Sequence, residues 1–330
     1  MQLQPHHTGQ KYVNVLPTSV SPPSGYGRLL RRYLFEKAER EPSQPLGPFR
    51  ADAAALAAPV PADSLRVTWL GHSTILLEID GRRFLTDPVW AERASPSQLV
   101  GPKRFFAPPL PLAQLPPLDG IILSHDHYDH LDEAAIRALA PRGEHFYCPL
   151  GVGAHLRRWG VPAGRITEAT WWDAISLPLG FELIATPARH FSGRGLLNRD
   201  STLWASWVLK GPHHRVFFGG DSGPFDEAFQ QIGAAYGPFD LVLLEIGASD
   251  PEWADIHLGP DNALAAHRLL GGGPLLPLHW GTFNLALHAW RQPVQRLIAA
   301  ADAAVPLLLP APGQRVDVAA GPVSSFWWLA

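Results

Sequence analysis

The stretch Ser124-His125-Asp126-His127-Tyr128-Asp129-His130-Leu131-Asp132 sets three imidazoles and a carboxylate in an H-x-H-x-D-H pattern over residues 125–130. Before it, Leu118 to Leu123 reads as a short buried strand; after it, Asp132 to Leu139 reads as a helix with acidic residues in its first turn. Side chains alternate along an extended chain, so His125 and His127 point the same way. Asp129 and His130 fall where the chain turns into the helix and face a second point nearby. Two adjacent clusters of nitrogen and oxygen donors suit two metal ions about 3.5–4 Å apart, the spacing that clamps a hydrolytic transition state. The plainer alternative is an exposed polar loop, but the pattern is denser in ligands than loop composition produces.

Three more candidates, His190, Asp221 and His279, each follow a short apolar run that reads as a strand. Strand ends on one sheet edge converge in space, and ligand sites form there. Alone, each is an ordinary turn residue; beside the 125–130 cluster, each supplies a donor that two open metal sites lack. His125, His127 and His190 are assigned to one metal, and Asp129, His130 and His279 to the other. Asp221 lies between them, and Gly219-Gly220 before it leaves no side chain to obstruct close approach. Imidazole and carboxylate donors suit Zn²⁺ and also Fe or Mn; two Zn²⁺ are the default on affinity.

Leu65 to Leu70, Thr74 to Ile79 and Arg82 to Thr86 read as strands, the last two joined by the hairpin signal Asp80-Gly81. Strands are expected at 146–148, 171–175, 181–186, 203–209, 215–218 and 240–246, and helices at 151–159, 225–232 and 260–270. This alternation favours two sheets flanked by helices over a barrel. The Pro-rich residues 1–62 read as an extension packed on a single domain at 63–330, with one helix from Tyr26 to Arg40. Residues 89–117 form a loop long enough to be a lid or a binding surface. His213, His214 and His267 are expected to be exposed. Phe326-Trp327-Trp328-Leu329 is expected to dock on the domain or a partner subunit rather than on lipid.

Composition narrows the function. A net charge of −3 over 330 residues argues against nucleic acid as a partner. The four lysines, at 11, 37, 103 and 210, form no polybasic membrane anchor. Cys148 is the sole cysteine, so an internal disulfide is excluded and a reducing compartment fits. Neither a secretory leader in residues 1–10 nor an apolar run of 18 residues is visible. A cytoplasmic location is expected, with peripheral membrane contact and a homodimer left open.

The ligand pattern resembles the metallo-β-lactamase superfamily, and within it the N-acyl-phosphatidylethanolamine-hydrolysing phospholipase D group and its bacterial relatives. The segments that carry the resemblance are Trp69-Leu70-Gly71-His72-Ser73-Thr74, Leu85-Thr86-Asp87-Pro88, Arg93-Ala94-Ser95-Pro96-Ser97-Gln98 and Gly101-Pro102-Lys103-Arg104. Ser124 to Asp132, Phe218-Gly219-Gly220-Asp221-Ser222-Gly223 and His279-Trp280-Gly281-Thr282-Phe283 continue it over roughly residues 65 to 295. It implies an α/β fold, the four-layer αβ/βα sandwich, for the 63–330 hydrolase domain. It also implies that Asp87 orients a metal-bound histidine, with a turn cap as the alternative. Similarly, His257 resembles a histidine near the substrate phosphate, with a solvated loop position as the alternative. His72 either lines the site or packs in the core. Where the mammalian phospholipase pattern has asparagine, this chain has Asp126, which points away from the two histidines and is not expected to ligate.

The function so implied is metal-dependent hydrolysis of a small-molecule or lipid substrate. Water shared by two metals has its pKa lowered towards about 7 and supplies hydroxide. The substrate class implied is an N-acyl-phosphatidylethanolamine-like phosphodiester, with catalytic roles for Asp221, Asp129 and His257. The rival on the same centre is a lactonase or other esterase, sugar-phosphate lactones included; a di-iron redox centre and a non-catalytic binding protein rank behind it. Phe105 and Phe106 either seat acyl chains or pack against the N-terminal extension.

Overall fold

A computed structural model describes residues 2–20, 27, 31, 32, 34–195 and 197–329. Seven strands form one mixed sheet: β1 (Leu65–Gly71), β2 (Thr74–Ile79), β3 (Arg82–Thr86), β4 (Gly120–Ile122), β5 (Phe146–Pro149), β6 (Ile166–Ala169) and β13 (Arg315–Asp317), in the order β13-β1-β2-β3-β4-β5-β6. Six form the other: β7 (Ala174–Ser176), β8 (Glu182–Thr186), β9 (Ser206–Lys210), β10 (Arg215–Phe218), β11 (Leu241–Glu245) and β12 (Leu275–Leu278), in the order β12-β11-β10-β9-β8-β7. At the β2–β3 hairpin Ile79 pairs with Arg82, leaving Asp80 and Gly81, both at positive φ, as the two-residue turn.

The strands of the first sheet are apolar on both faces because both are covered. Ile75, Leu77, Phe84 and Ile122 point into the core shared with the second sheet, where Leu183, Trp207 and Phe218 meet them. Their neighbours Leu76, Leu85 and Ile121 face the other way, onto α1 (Glu133–Leu139) and α2 (Gly153–Arg158) through Ile136, Leu139 and Leu156. Against the second sheet lie α3 (Asp226–Tyr236), α4 (Gly259–Leu269) and α5 (Gln292–Ala300), which bury Phe229, Leu264 and Leu297. The layers run helix, sheet, sheet, helix.

Several boundaries differ from expectation. Residues 171–173 form a turn because Trp172, at φ 73, breaks the strand, which starts at Ala174. The strand at 203–209 begins only at Ser206, and the helix at 225–232 continues to Tyr236. Of the helix expected over 26–40, residues 26, 28–30 and 33 lie outside the described residues; Gly27, Arg31, Arg32, Leu34 and Phe35 are helical. His267 is buried and donates to the Gly273 carbonyl, and His214 is half-buried on Asp80, so neither is the exposed residue expected.

Residues 12–20 run over the mouth of the metal-ligand region. Asn14 Nδ2 donates to the His190 carbonyl at 2.6 Å and Ser19 N to Asp255 Oδ2 at 2.9 Å. At the other end of the chain, Trp327 and Trp328 are buried on the domain. Trp327 stacks on Trp280 at 5.2 Å and meets Trp69 at 5.8 Å and Phe49 at 5.4 Å. Trp327→Ala is expected to cost about 3 kcal/mol in urea unfolding. Phe326→Ala, at a half-exposed position, should stay within about 0.5 kcal/mol. Equal effects would mean that the tryptophan cluster contributes no packing energy.

Candidate metal centre

The candidate residues sit just past strand ends along one edge of both sheets: His72 after β1, Asp87 after β3, His125 after β4, His190 after β8, Asp221 after β10 and His279 after β12. His72, Asp87 and His279 adopt φ values of 54°, 32° and 64°, in the left-handed region that non-glycine residues rarely occupy. Such strain persists only where the surroundings fix it. Here the His72 N–H donates to Thr282 Oγ1, and the His72 carbonyl accepts from Trp69 Nε1 and His279 N. Gly220 lets the Asp221 strand end press against Ser124, since a Cβ there would lie 2.5 Å from the Ser124 Cβ.

All seven ligand candidates converge, in two clusters. His125 Nε2 lies 2.8 Å from His127 Nδ1, which lies 3.2 Å from His190 Nε2. Asp129 Oδ2 lies 3.6 Å from His130 Nε2 and 3.3 Å from His279 Nε2. Asp221 Oδ2 stands between, 3.1 Å from both His130 and His279 and 3.7 and 3.9 Å from His190 and His125. Three atoms at this point, His130 Nε2, His279 Nε2 and Asp221 Oδ1, are buried with no hydrogen-bond partner. Buried polar atoms are seldom left so, and the donor set, within 4.8 Å in each group, fits divalent cations.

The charges agree with that arrangement in the metal-free chain. Burial alone would raise the Asp221 carboxyl, but His130 and His279 outweigh it and hold it well below the usual range. Against the same desolvation, Asp221 and Asp129 push the His279 imidazole up to about 10 and His130 well above its ordinary value. His125 and His190 go the other way: burial and neighbouring imidazoles hold them well below it. Two protonated rings therefore stand beside two carboxylates where the donors converge.

Asp87 is wholly buried; its carboxylate accepts from Ser124 N and Oγ at 2.7 and 2.6 Å and from His130 Nδ1 at 2.7 Å. This fixes the His130 tautomer and leaves Nε2 for the centre. His190 Nδ1 likewise donates to the Ile256 carbonyl at 2.8 Å. His72 is buried beside the second cluster, its Nε2 3.0 Å from Asp129 Oδ2. Asp126, fully buried, turns away from the clusters, accepting from Gly193 N and lying 3.3 Å from His155 Nε2.

A cavity of about 370 Å³ opens onto the clusters through His127, Asp129, Asp221, His279 and His257. Its walls include Phe191, Trp253, Ile256 and Leu285. His257 Nδ1 lies 2.7 Å from Glu245 Oε2, so the ring is held by a carboxylate rather than solvated in a loop. The sequence reading missed Glu245. Its signal was a lone acid closing the apolar run Leu241 to Leu244, because a fully buried carboxylate needs a partner.

No described residue of the 89–117 loop, expected as a lid or a binding surface, lines this cavity. Instead it braces the His279 loop: Arg104 pairs with Phe283 and Phe105 N donates to the Thr282 carbonyl at 2.9 Å. Phe106 is buried and packs edge-on against Phe49 of the N-terminal segment, while the half-buried Phe105 lies 6.1 Å from Trp290.

Comparison with known proteins agrees with this geometry. A family model described as a β-lactamase superfamily domain matches residues 82–280. An uncharacterized protein of Mycobacterium tuberculosis is 50% identical over 295 residues, covering 84% of this chain and 78% of that protein. N-acyl-phosphatidylethanolamine-hydrolyzing phospholipase D 1 of Caenorhabditis elegans is 37% identical over 231 residues, 67% of this chain and 65% of that protein. Among solved structures, an isothiocyanate hydrolase from Delia radicum gut bacteria superposes with a TM-score of 0.63 at 22% identity, over 76% of this chain and 98% of that one. Among the described residues no helix is long and apolar enough to cross a membrane. With its two mixed sheets and His/Asp metal site, the chain belongs to the metallo-β-lactamase superfamily and is a metal-dependent hydrolase.

Proposed function

We propose that this hydrolase is a phosphodiesterase of phospholipase D type, with a dinuclear zinc centre, acting on N-acyl-phosphatidylethanolamine-like lipids. The observation that carries the proposal is the convergence of His125, His127, His190, Asp129, His130, His279 and Asp221, with unpartnered buried donor atoms, on the floor of an apolar-walled cavity. The likeness to the nematode phospholipase supports the substrate class. His125, His127, His190, Asp129, His130, His279 and Asp221 would hold two divalent cations, which would supply Lewis-acid chemistry: a lowered water pKa and polarisation of a phosphoryl oxygen.

The chain's own residues do the rest. Asp221 spans both clusters and, with Asp129, keeps anionic oxygen at the floor, where a proton from the attacking water has an acceptor. His257 faces the cavity with Nδ1 committed to Glu245, so Nε2 is the atom left for the substrate. Protonated, it donates to the leaving alkoxide oxygen or to a developing oxyanion. A 370 Å³ chamber admits the phosphodiester and the adjoining carbons, while long acyl chains stay in the lipid phase.

Zinc-loaded protein assayed on N-acyl-phosphatidylethanolamine in mixed micelles should release phosphatidic acid and an N-acylethanolamine. Turnover of lactones with no diester hydrolysis would reject the proposal in favour of a lactonase. His257→Ala should lower kcat about 10²-fold with the metal content intact. Glu245→Gln should lower it less and shift the pH optimum, which a purely structural carboxylate would leave in place.

A further inference from the structure

We infer that Arg199 is the anion-recognising residue of this cavity, holding a negatively charged substrate in front of the ligand clusters. The inference rests on the hydrolase site proposed above and adds a charge requirement to it. Among the described residues lining the cavity, Arg199 is the one lysine or arginine. Its guanidinium carbon lies 5.3 Å from the Phe191 ring centroid. The Phe191 ring in turn lies 4.3 Å from the His127 ring and 4.9 Å from the His190 ring. One aromatic ring therefore separates the cation from two of the candidate ligands.

Among the described residues the guanidinium donates no hydrogen bond; its one charge partner is the neighbouring Asp200, whose Oδ2 lies 3.6 Å from Nε in an exposed ion pair that an incoming anion can replace. The Arg199 backbone is held on both sides. The Asp200 carbonyl accepts from Tyr12 N at 2.8 Å and Asp200 N donates to the Ser192 carbonyl at 2.9 Å. At Gly193, with φ 134°, a Cβ would stand 2.9 Å from the Arg199 Cα, so the loop closes tightly on itself.

A planar guanidinium offers five donors in a fork that matches a phosphate or carboxylate edge. Since Arg199 belongs to neither ligand cluster, replacing it should leave metal content unchanged.

The test is calorimetric titration of zinc-loaded wild type, Arg199→Gln and Arg199→Lys with diethyl phosphate, an anion, and with triethyl phosphate, its uncharged counterpart. Arg199→Gln should weaken diethyl phosphate binding about tenfold and Arg199→Lys by less than threefold. Triethyl phosphate should change by less than twofold in both, and salt should weaken anion binding more steeply in wild type than in Arg199→Gln. Equal affinity of wild type and Arg199→Gln for diethyl phosphate, or no binding by wild type, would overturn the inference. Hydrolysis of bis(p-nitrophenyl) phosphate separates the two proposals. Turnover by wild type with an unchanged KM in Arg199→Gln leaves the phosphodiesterase standing and removes the arginine. No turnover, with anion affinity lost in Arg199→Gln, removes the phosphodiesterase and keeps the anion site.

Discussion

Asp221→Asn should lower hydrolysis about 10⁴-fold, close to 5.5 kcal/mol of transition-state stabilisation, and should release at least one metal ion per chain. Asp221 Oδ2 is within 3.9 Å of a ring nitrogen of His125, His130, His190 and His279, members of both clusters. The amide keeps the shape but removes the charge, and places an N–H donor where cations and imidazoles compete for a lone pair. Because the substitution is isosteric, a near-UV spectrum like that of wild type is expected beside the lost activity, with an unfolding midpoint lowered by the lost metal and the broken buried ion pairs. A variant that keeps both metals and loses less than tenfold in kcat would show that Asp221 bridges nothing.

The second large effect is on metal uptake. In the metal-free chain, Asp221 and Asp129 push His279 up to about 10 and His130 well above its ordinary value, so both rings carry protons at neutral pH. A cation must displace those protons. His125, His127 and His190 are already neutral, since burial lowers all three, and contribute no release. Metal binding at pH 7 should thus release about two protons, and affinity should rise roughly 100-fold per pH unit. For His279 that rise should continue up to about pH 10. The sign is the same for stability. A raised folded pKa stabilises the metal-free protein fully below about pH 6.5, and that stabilisation is lost as pH rises through about 10. Titrations in buffers of different ionisation enthalpy measure the release. A pH-independent affinity would mean that the two rings do not occupy the cation positions.

Much of this site was legible because its residues obey local rules. Three strands ending in His125, Asp221 and His279 could be read as apolar runs followed by a polar residue. Asp132, expected in the first turn of a helix, caps α1 through Ala134 N at 2.9 Å. The pairing of Glu245 with His257 was not legible. It depends on β11 and the 249–257 loop meeting in space, and a strand-terminal acid carries no periodic signal. The role of the 89–117 loop was hidden for a similar reason: proline content marks a segment as irregular but does not say which neighbour it touches. The short β6 and β13 and the helix α5 were also missed. Arg315 to Asp317 is an edge strand of three residues, and Pro293 sits near the start of α5, where proline is tolerated but resembles a break.

Elemental analysis of the full chain, equilibrated with zinc and freed of excess by gel filtration, tests the central claim most directly. The expected result is two zinc ions per chain, falling to one or none in Asp221→Asn. No bound metal in wild type, or two ions retained in the variant, would contradict a centre built from His125, His127, Asp129, His130, His190, Asp221 and His279.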